Sequence, residues 1–246
     1  MQEYFNVSLE FDHEVFKHTI EKNIENNGKG YVCVVDANVL TIAQKNTKFR
    51  KVLNNSMVNT CDGSSIAMLA GIIYKQNYRA LNGPTLFAHY IEKKYSQLLL
   101  GSNEETSNKI KEILEKKGID NRHLSVMPLP FKAVEEFDYV EISKYINGIK
   151  PQIIWVSLGA PKQEVFMSNL LPYLDKGIMF GIGAAFNFYI GNIALPDAKI
   201  GALKFIWVSR IFSEPMKQLP RILPYIKVIP KLFFQEKRKL RNQLKK

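Results

Sequence analysis

The chain has 246 residues, 46% hydrophobic and 23% charged, with two cysteines and a formal net charge of +11. That is enough apolar material for one sizeable core with a smaller appendage, and too little cysteine for a disulfide framework or a paired-cysteine metal site. No basic segment followed by an apolar stretch opens the chain, and no apolar run approaches the roughly 20 residues that span a bilayer, so a cytoplasmic protein is expected.

Tyr4 to Glu10 alternates weakly and reads as a strand, and Glu14 to Asn26 as a helix ended by Gly28 and Gly30. Tyr31 to Val35 is a β-branched run suited to a central parallel strand. Asp36-Ala37-Asn38 follows it, and Val39 to Asn54 reads as one helix. Met57 to Cys61 is the next strand, closed by Asp62-Gly63, and Ser64 to Tyr74 the next helix. After Gly83-Pro84 come a helix at Thr85 to Tyr95, a strand at Gln97 to Leu100 ending on Gly101, and a helix at Glu104 to Lys117. Leu124 to Met127 is a strand and Val134 to Asn147 a helix. Ile153 to Val156 is a buried strand broken by Gly159 and Pro161, with a helix from Gln163 to Leu171. Lys176 to Phe180 is a strand that runs into Gly181-Ile182-Gly183-Ala184-Ala185-Phe186-Asn187.

Strands alternate with helices up to about residue 190, which predicts an α/β fold: a mostly parallel sheet with helices on both faces. Ligands of such sheets sit beyond the carboxyl ends of the strands. The residues there are Asp36, Asn38, Asp62, Gly101, Gln163 and Asn187. Asp62 lies between a strand and a glycine; its carboxylate either takes a proton from an attacking hydroxyl or caps the following helix. The strand–turn–helix around Gly159 to Glu164 either gathers free backbone N–H groups for an anion or is an ordinary α/β turn.

Past Pro196 the pattern changes. Ala198 to Phe212 reads as a helix, and Pro220, Pro224 and Pro230 predict two or three short helices in place of one long one. Met216 to Lys246 holds ten Lys or Arg and one acid, a net +9 that leaves about +2 for the rest. Its large apolar residues beside Lys227, Lys231 and Lys237-Arg238-Lys239 suit an anionic bilayer surface; the alternative is a basic solvated tail. Domains are therefore expected at 1–195 and 196–246. Arg210, Lys217 and Arg221 are either diphosphate ligands or a solvated basic face. The four histidines have no ligand spacing, and HExxH, paired CxxC and the Walker motif are absent. Neither a metal nor a cofactor is expected.

Taken together, Gly159-Ala160-Pro161-Lys162-Gln163-Glu164, Asp62-Gly63, Asn38, Gly83 with Leu86-Phe87, Gly181 to Phe186, and Trp207, Arg210 and Glu214-Pro215 resemble the WecG/TagA/CpsF family of bacterial glycosyltransferases. Six partial motifs stand in the right order from about Val32 to Arg221. The resemblance implies a Rossmann-like core of the GT-E type with a C-terminal appendage that docks on the membrane. It implies inverting, metal-independent transfer from a UDP-sugar to a polyprenyl-diphosphate-linked sugar at the inner face of the plasma membrane, in surface polysaccharide or teichoic acid synthesis. Self-association is also known in the family. By analogy Asp62 is the base, Asn38 and Gln163 orient substrate, and Arg210, Arg221 and Lys217 hold the diphosphate. The same motifs nominate Gly63, Gly83, Gly159, Pro161, Lys162, Glu164 and Gly183 as substrate-binding, and their places after strands add Gly101 and Asn187. Four positions depart from the family pattern: Asp36, Thr85, Asn187 and Ile206. Asp36 thereby becomes a rival base, and the donor sugar is left open.

Two other readings compete. A basic-tailed module without catalytic activity could bind nucleic acid or anionic membrane, although the tail has no nucleic-acid motif and few stacking aromatics. A nucleotide-dependent epimerase or dehydrogenase would need a glycine fingerprint after the first strand, whereas Gly28-Lys29-Gly30 precedes it.

Overall fold

The computed structural model describes residues 2–193, 199–200, 203–204 and 215–243, with side chains for 2–193 and 228–242. Its centre is a six-stranded, all-parallel sheet. In chain order the strands are β3 (Lys29–Val35), β4 (Val58–Cys61), β5 (Gln97–Leu100), β6 (Leu124–Met127), β7 (Ile153–Val156) and β8 (Gly177–Gly181). In space they run β4-β3-β8-β7-β5-β6. The first and last strands of the sheet, β3 and β8, are neighbours near its middle.

Alternation along each strand sends its residues to two cores. Cys33, Val35, Leu98, Leu100, Ile154, Val156 and Met179 pack on one face. That face is covered by α2 (Ala37–Lys45), α3 (Thr47–Asn54), α4 (Ser64–Tyr74), α7 (Tyr139–Ile149) and α8 (Lys162–Leu170). Val32, Val34, Leu99, Ile153, Trp155, Ile178 and Phe180 pack on the other. There they meet α1 (His13–Glu25), α5 (Gly83–Ile91), α6 (Glu104–Lys116) and α9 (Ala185–Tyr189). The buried Trp155 donates from its indole nitrogen to Gln97 Oε1 at 2.7 Å, so the core polar group is satisfied.

The structure corrects the sequence reading in several places. The N-terminal strand is a hairpin, β1 (Gln2–Tyr4) and β2 (Val7–Leu9), turned by Phe5 and Asn6 at positive φ. The helix expected from Val39 to Asn54 is broken at Asn46. That residue is extended, and its side chain accepts from Phe49 N to cap α3. Val134 to Asn147 splits likewise, with a 3-10 turn at Val134–Glu136 before Asp138 caps α7. In both cases a side-chain cap starts a new helix inside the segment. Most of the helix expected at Ala198 to Phe212 lies outside the described residues; Lys199–Ile200 (β9) and Leu203–Lys204 (β10) form a short antiparallel ladder.

The three prolines do not divide the tail. One helix, α10, runs from Pro215–Gln243. Each interior proline costs up to about 3 kcal/mol through its missing N–H. Tertiary packing offsets this on the distal half. Leu232 is buried, and Val228, Ile229, Phe233 and Leu240 pack against the core beside α2 and α4. Burying a leucine fully contributes about 1.5–3 kcal/mol. Glu236, also buried, accepts from the Tyr74 hydroxyl at 2.6 Å. These five large apolar residues of the tail thus face protein, whereas Phe234 is exposed.

Candidate active site

A parallel sheet puts all its carboxyl ends on one rim. Asp36 follows β3, Asp62-Gly63 follows β4, Gly101 follows β5, Ser157 to Gly159 follow β7, and Ile182-Gly183 follow β8. Hydrogen bonds knit these loops together. Asp62 N donates to Val35 O at 3.0 Å. Asp62 Oδ1 accepts from Gly83 N at 3.2 Å, which draws the start of α5 to the end of β4. Gly83 packs on the loop after β8: a Cβ there would lie 3.4 Å from Ile182 O.

The two candidate bases differ in local role. Asp36 is the N-cap of α2, its Oδ1 accepting from Val39 N at 2.7 Å. Asp62 is not a cap. The N-cap of α4 is Gly63, in extended conformation, with no side-chain cap bond. The capping role that the sequence allowed for Asp62 is therefore filled elsewhere, and its carboxylate meets the start of α5 instead. Asn38 sits in the first turn of α2, half-buried. Gly63 is half-buried, and Asn187 lies in the short α9, its backbone N donating to Ala184 O.

The signature loop after β7 is built inward. Gly159 has φ +74°, the Ala160–Pro161 peptide is cis, and Gln163 N donates to Gly159 O at 2.9 Å. Gln163 is buried with both ends of its amide engaged. Oε1 accepts from Gly183 N at 3.0 Å, and Nε2 donates to Glu164 Oε1 at 3.0 Å. Glu164 is wholly buried and its Oε2 has no partner. Burial pushes its carboxyl up to about 7; the negative charge of Asp36 adds to the rise, while the Gln163 amide and its own backbone N–H oppose it. Gly181 makes room for the pair: a Cβ there would lie 2.7 Å from Met167 Cε and 3.2 Å from Gln163 Nε2.

Gly183 has φ +54°, and its carbonyl accepts from Ser157 Oγ at 2.8 Å. Ser157 was not singled out from the sequence; the available signal was its place as the first residue after a strand. Gly101, at φ +81°, lets the loop after β5 approach Leu158 and the Ser157 carbonyl. Lys162 is turned to the segment after β6. There it donates to Lys132 O and lies over the rings of Phe131 and Phe137. Arg210 lies outside the described residues. Lys217 and Arg221 stand on α10, with side chains outside the described residues. Among the described residues no group of three or more His, Cys, Asp or Glu is arranged to hold a metal ion, and no helix is long and apolar enough to cross a membrane.

The chain is 23% identical over 205 residues to the N-acetylglucosaminyldiphosphoundecaprenol N-acetyl-beta-D-mannosaminyltransferase of Bacillus subtilis (strain 168), covering 82% of this chain and 77% of that protein. It is 20% identical over 198 residues to the protein of the same name from Bacillus spizizenii (strain ATCC 23059 / NRRL B-14472 / W23), covering 79% and 75%. The model of the glycosyl transferase WecG/TagA/CpsF family matches residues 4–243. The chain belongs to that family and is a glycosyltransferase.

Proposed function

We propose that this enzyme moves a sugar from a UDP-sugar to a polyprenyl-diphosphate-linked saccharide, with Asp62 as the general base. The observation that carries the reading is the placement of Asp62: at a strand end on the ligand-bearing rim, not the cap of the helix that follows it, and bonded to Gly83 at the start of α5, which packs on the loop after β8. The acceptor hydroxyl gives its proton to the Asp62 carboxylate as its oxygen bonds to the anomeric carbon, and the UDP oxygen leaves from the opposite face. In-line displacement inverts that carbon. Arg210, Lys217 and Arg221 would neutralise the diphosphate, and Asn38 would orient the sugar.

The relatives' names supply the acceptor class, a sugar carried on diphosphoundecaprenol. The donor sugar is kept open, because Asp36 replaces a hydroxyl residue of the family pattern beside the site. We further propose that residues 1–195 carry catalysis and 196–246 hold the enzyme on the cytoplasmic membrane face. Support comes from the +9 charge of residues 216–246 and from the exposed Phe234 beside the basic residues 237–239.

The test is UDP release by purified protein with a panel of UDP-sugars and lipid-diphosphate sugars. Turnover that needs the lipid-linked acceptor and is lost in Asp62→Asn supports the proposal. No turnover with any pair, or an Asp62→Asn enzyme equal to wild type, refutes it. Flotation with anionic vesicles, set beside a DNA gel shift, tests the tail separately.

A further inference from the structure

The Gln-Glu pair of the signature loop is nominated as substrate-binding by resemblance, yet both side chains are buried. Their geometry suits a different task. We infer that Glu164 is a positioning residue that orients the amide of Gln163 and through it fixes the Gly183 turn on the rim of the crevice.

A glutamine amide presents an acceptor at one end and two donors at the other. Gly183 N–H needs the acceptor, and it receives Gln163 Oε1 at 3.0 Å. The opposite orientation would set NH2 against N–H. Glu164 Oε1, accepting from Gln163 Nε2 at 3.0 Å, removes that alternative, because a carboxyl in either protonation state offers an acceptor there. The other backbone group of Gly183 is held by Ser157 Oγ at 2.8 Å. A residue at φ +54° is thus gripped at both its N–H and its C=O by side chains from the loop after β7. The grip reaches the candidate base through contact: Gly183 adjoins Ile182, Ile182 packs on Gly83, and Gly83 N donates to Asp62. The missing Cβ of Gly181 provides the space for the Gln163 amide.

The groups that bear on Glu164 are Gln163 and its own amide on α8, Cys33 of β3 and Asp36 at the start of α2. Among the described residues no cation joins them. When the carboxyl ionises, near 7, it becomes a buried anion whose Oε2 has no partner. Ionisation costs the fold stability, but it does not release the amide: the Gln163 bond favours the charged carboxyl, so the grip holds on both sides of that value.

The reading rests on Asp62 chemistry only for its kinetic arm. In Glu164→Leu the Gln163 amide loses its acceptor. Turnover is expected to fall about tenfold or more, as displacement of a catalytic loop does, with KM moving less than about threefold. Glu164→Gln keeps an acceptor for Gln163 Nε2. It should bring turnover back to within about threefold of wild type. Amide hydrogen exchange of Gly183, followed by NMR on the full chain without substrate, should quicken about tenfold in Glu164→Leu and return in Glu164→Gln. If Glu164→Leu fails to fold, Glu164→Gln decides: loss of turnover as deep as that of Asp62→Asn would make Glu164 a catalytic group and overturn the inference. Unchanged Gly183 exchange in Glu164→Leu would overturn it as well. Absence of transfer in wild type would sink the proposed reaction while leaving the exchange measurement readable.

Discussion

Glu164→Gln should flatten the pH dependence of folding stability. In the folded chain the carboxyl ionises near 7, against 4.5 for the ordinary group. The fold holds the neutral form, so this site's contribution is full below about 4.5, declines as pH rises, and is gone above about 7. Each unit of difference is worth about 1.4 kcal/mol, so the whole interval amounts to about 3 kcal/mol. No discount for solvent screening applies, since the group is wholly buried. Urea unfolding of wild type and variant at pH 5 and pH 8 gives four free energies. Subtracting the variant's change from the wild type's cancels every other titrating group. Wild type should lose about 2–3 kcal/mol more than Glu164→Gln between those two values. The variant's second amide end is itself buried without a partner and costs about 1–3 kcal/mol, but equally at both pH values. A difference between the two proteins that stays within about 0.5 kcal/mol from pH 5 to pH 8 would refute the argument that burial governs this carboxyl.

Asp62→Asn should lower kcat by about 10²–10⁴-fold with little change in melting temperature, measured by UDP release and calorimetry. Asp36→Ala should cost about 1 kcal/mol through loss of the α2 cap, and Asp36→Asn should restore it, because asparagine caps as well as aspartate. Gly181→Ala should cost about 1–3 kcal/mol by overpacking Met167 and Gln163; combined with Met167→Ala the two costs should fall short of additivity by about 0.5 kcal/mol or more in urea unfolding. Tyr74→Phe leaves the buried Glu236 without its hydroxyl partner. It should cost about 1–3 kcal/mol and speed proteolysis within Pro215–Gln243.

The parallel sheet was legible because buried β-branched runs alternate with amphipathic helices. Ser64 to Tyr74, Gln97 to Leu100 and Leu124 to Met127 form their elements with the ends read from residue pattern alone. Features decided by one side chain against its own backbone were not legible as such. Asn46 caps α3 inside a segment read as one helix, and Phe5 turns a hairpin without glycine. The continuous α10 depends on Leu232 and Glu236 meeting α2 and α4, which no local pattern encodes. At the site, strand ends identified the rim. They did not reveal that Asp36 caps a helix while Asp62 does not. Gln163 and Glu164 at the start of a helix are nominated as substrate-binding, and nothing in their local pattern marks them as buried. Only the space left by Gly181, on a strand distant in sequence, draws them inside.

The Tyr74–Glu236 bond ties the tail to the last residue of α4, and the first residue of α4 comes two positions after Asp62. Eleven helical residues make a rod about 16 Å long. A stiff strut of this kind transmits displacement from end to end with little give. Traction on the chain's final helix is accordingly felt at the carboxylate end of the strut, and trimming the chain ahead of Glu236 would leave its far end untethered.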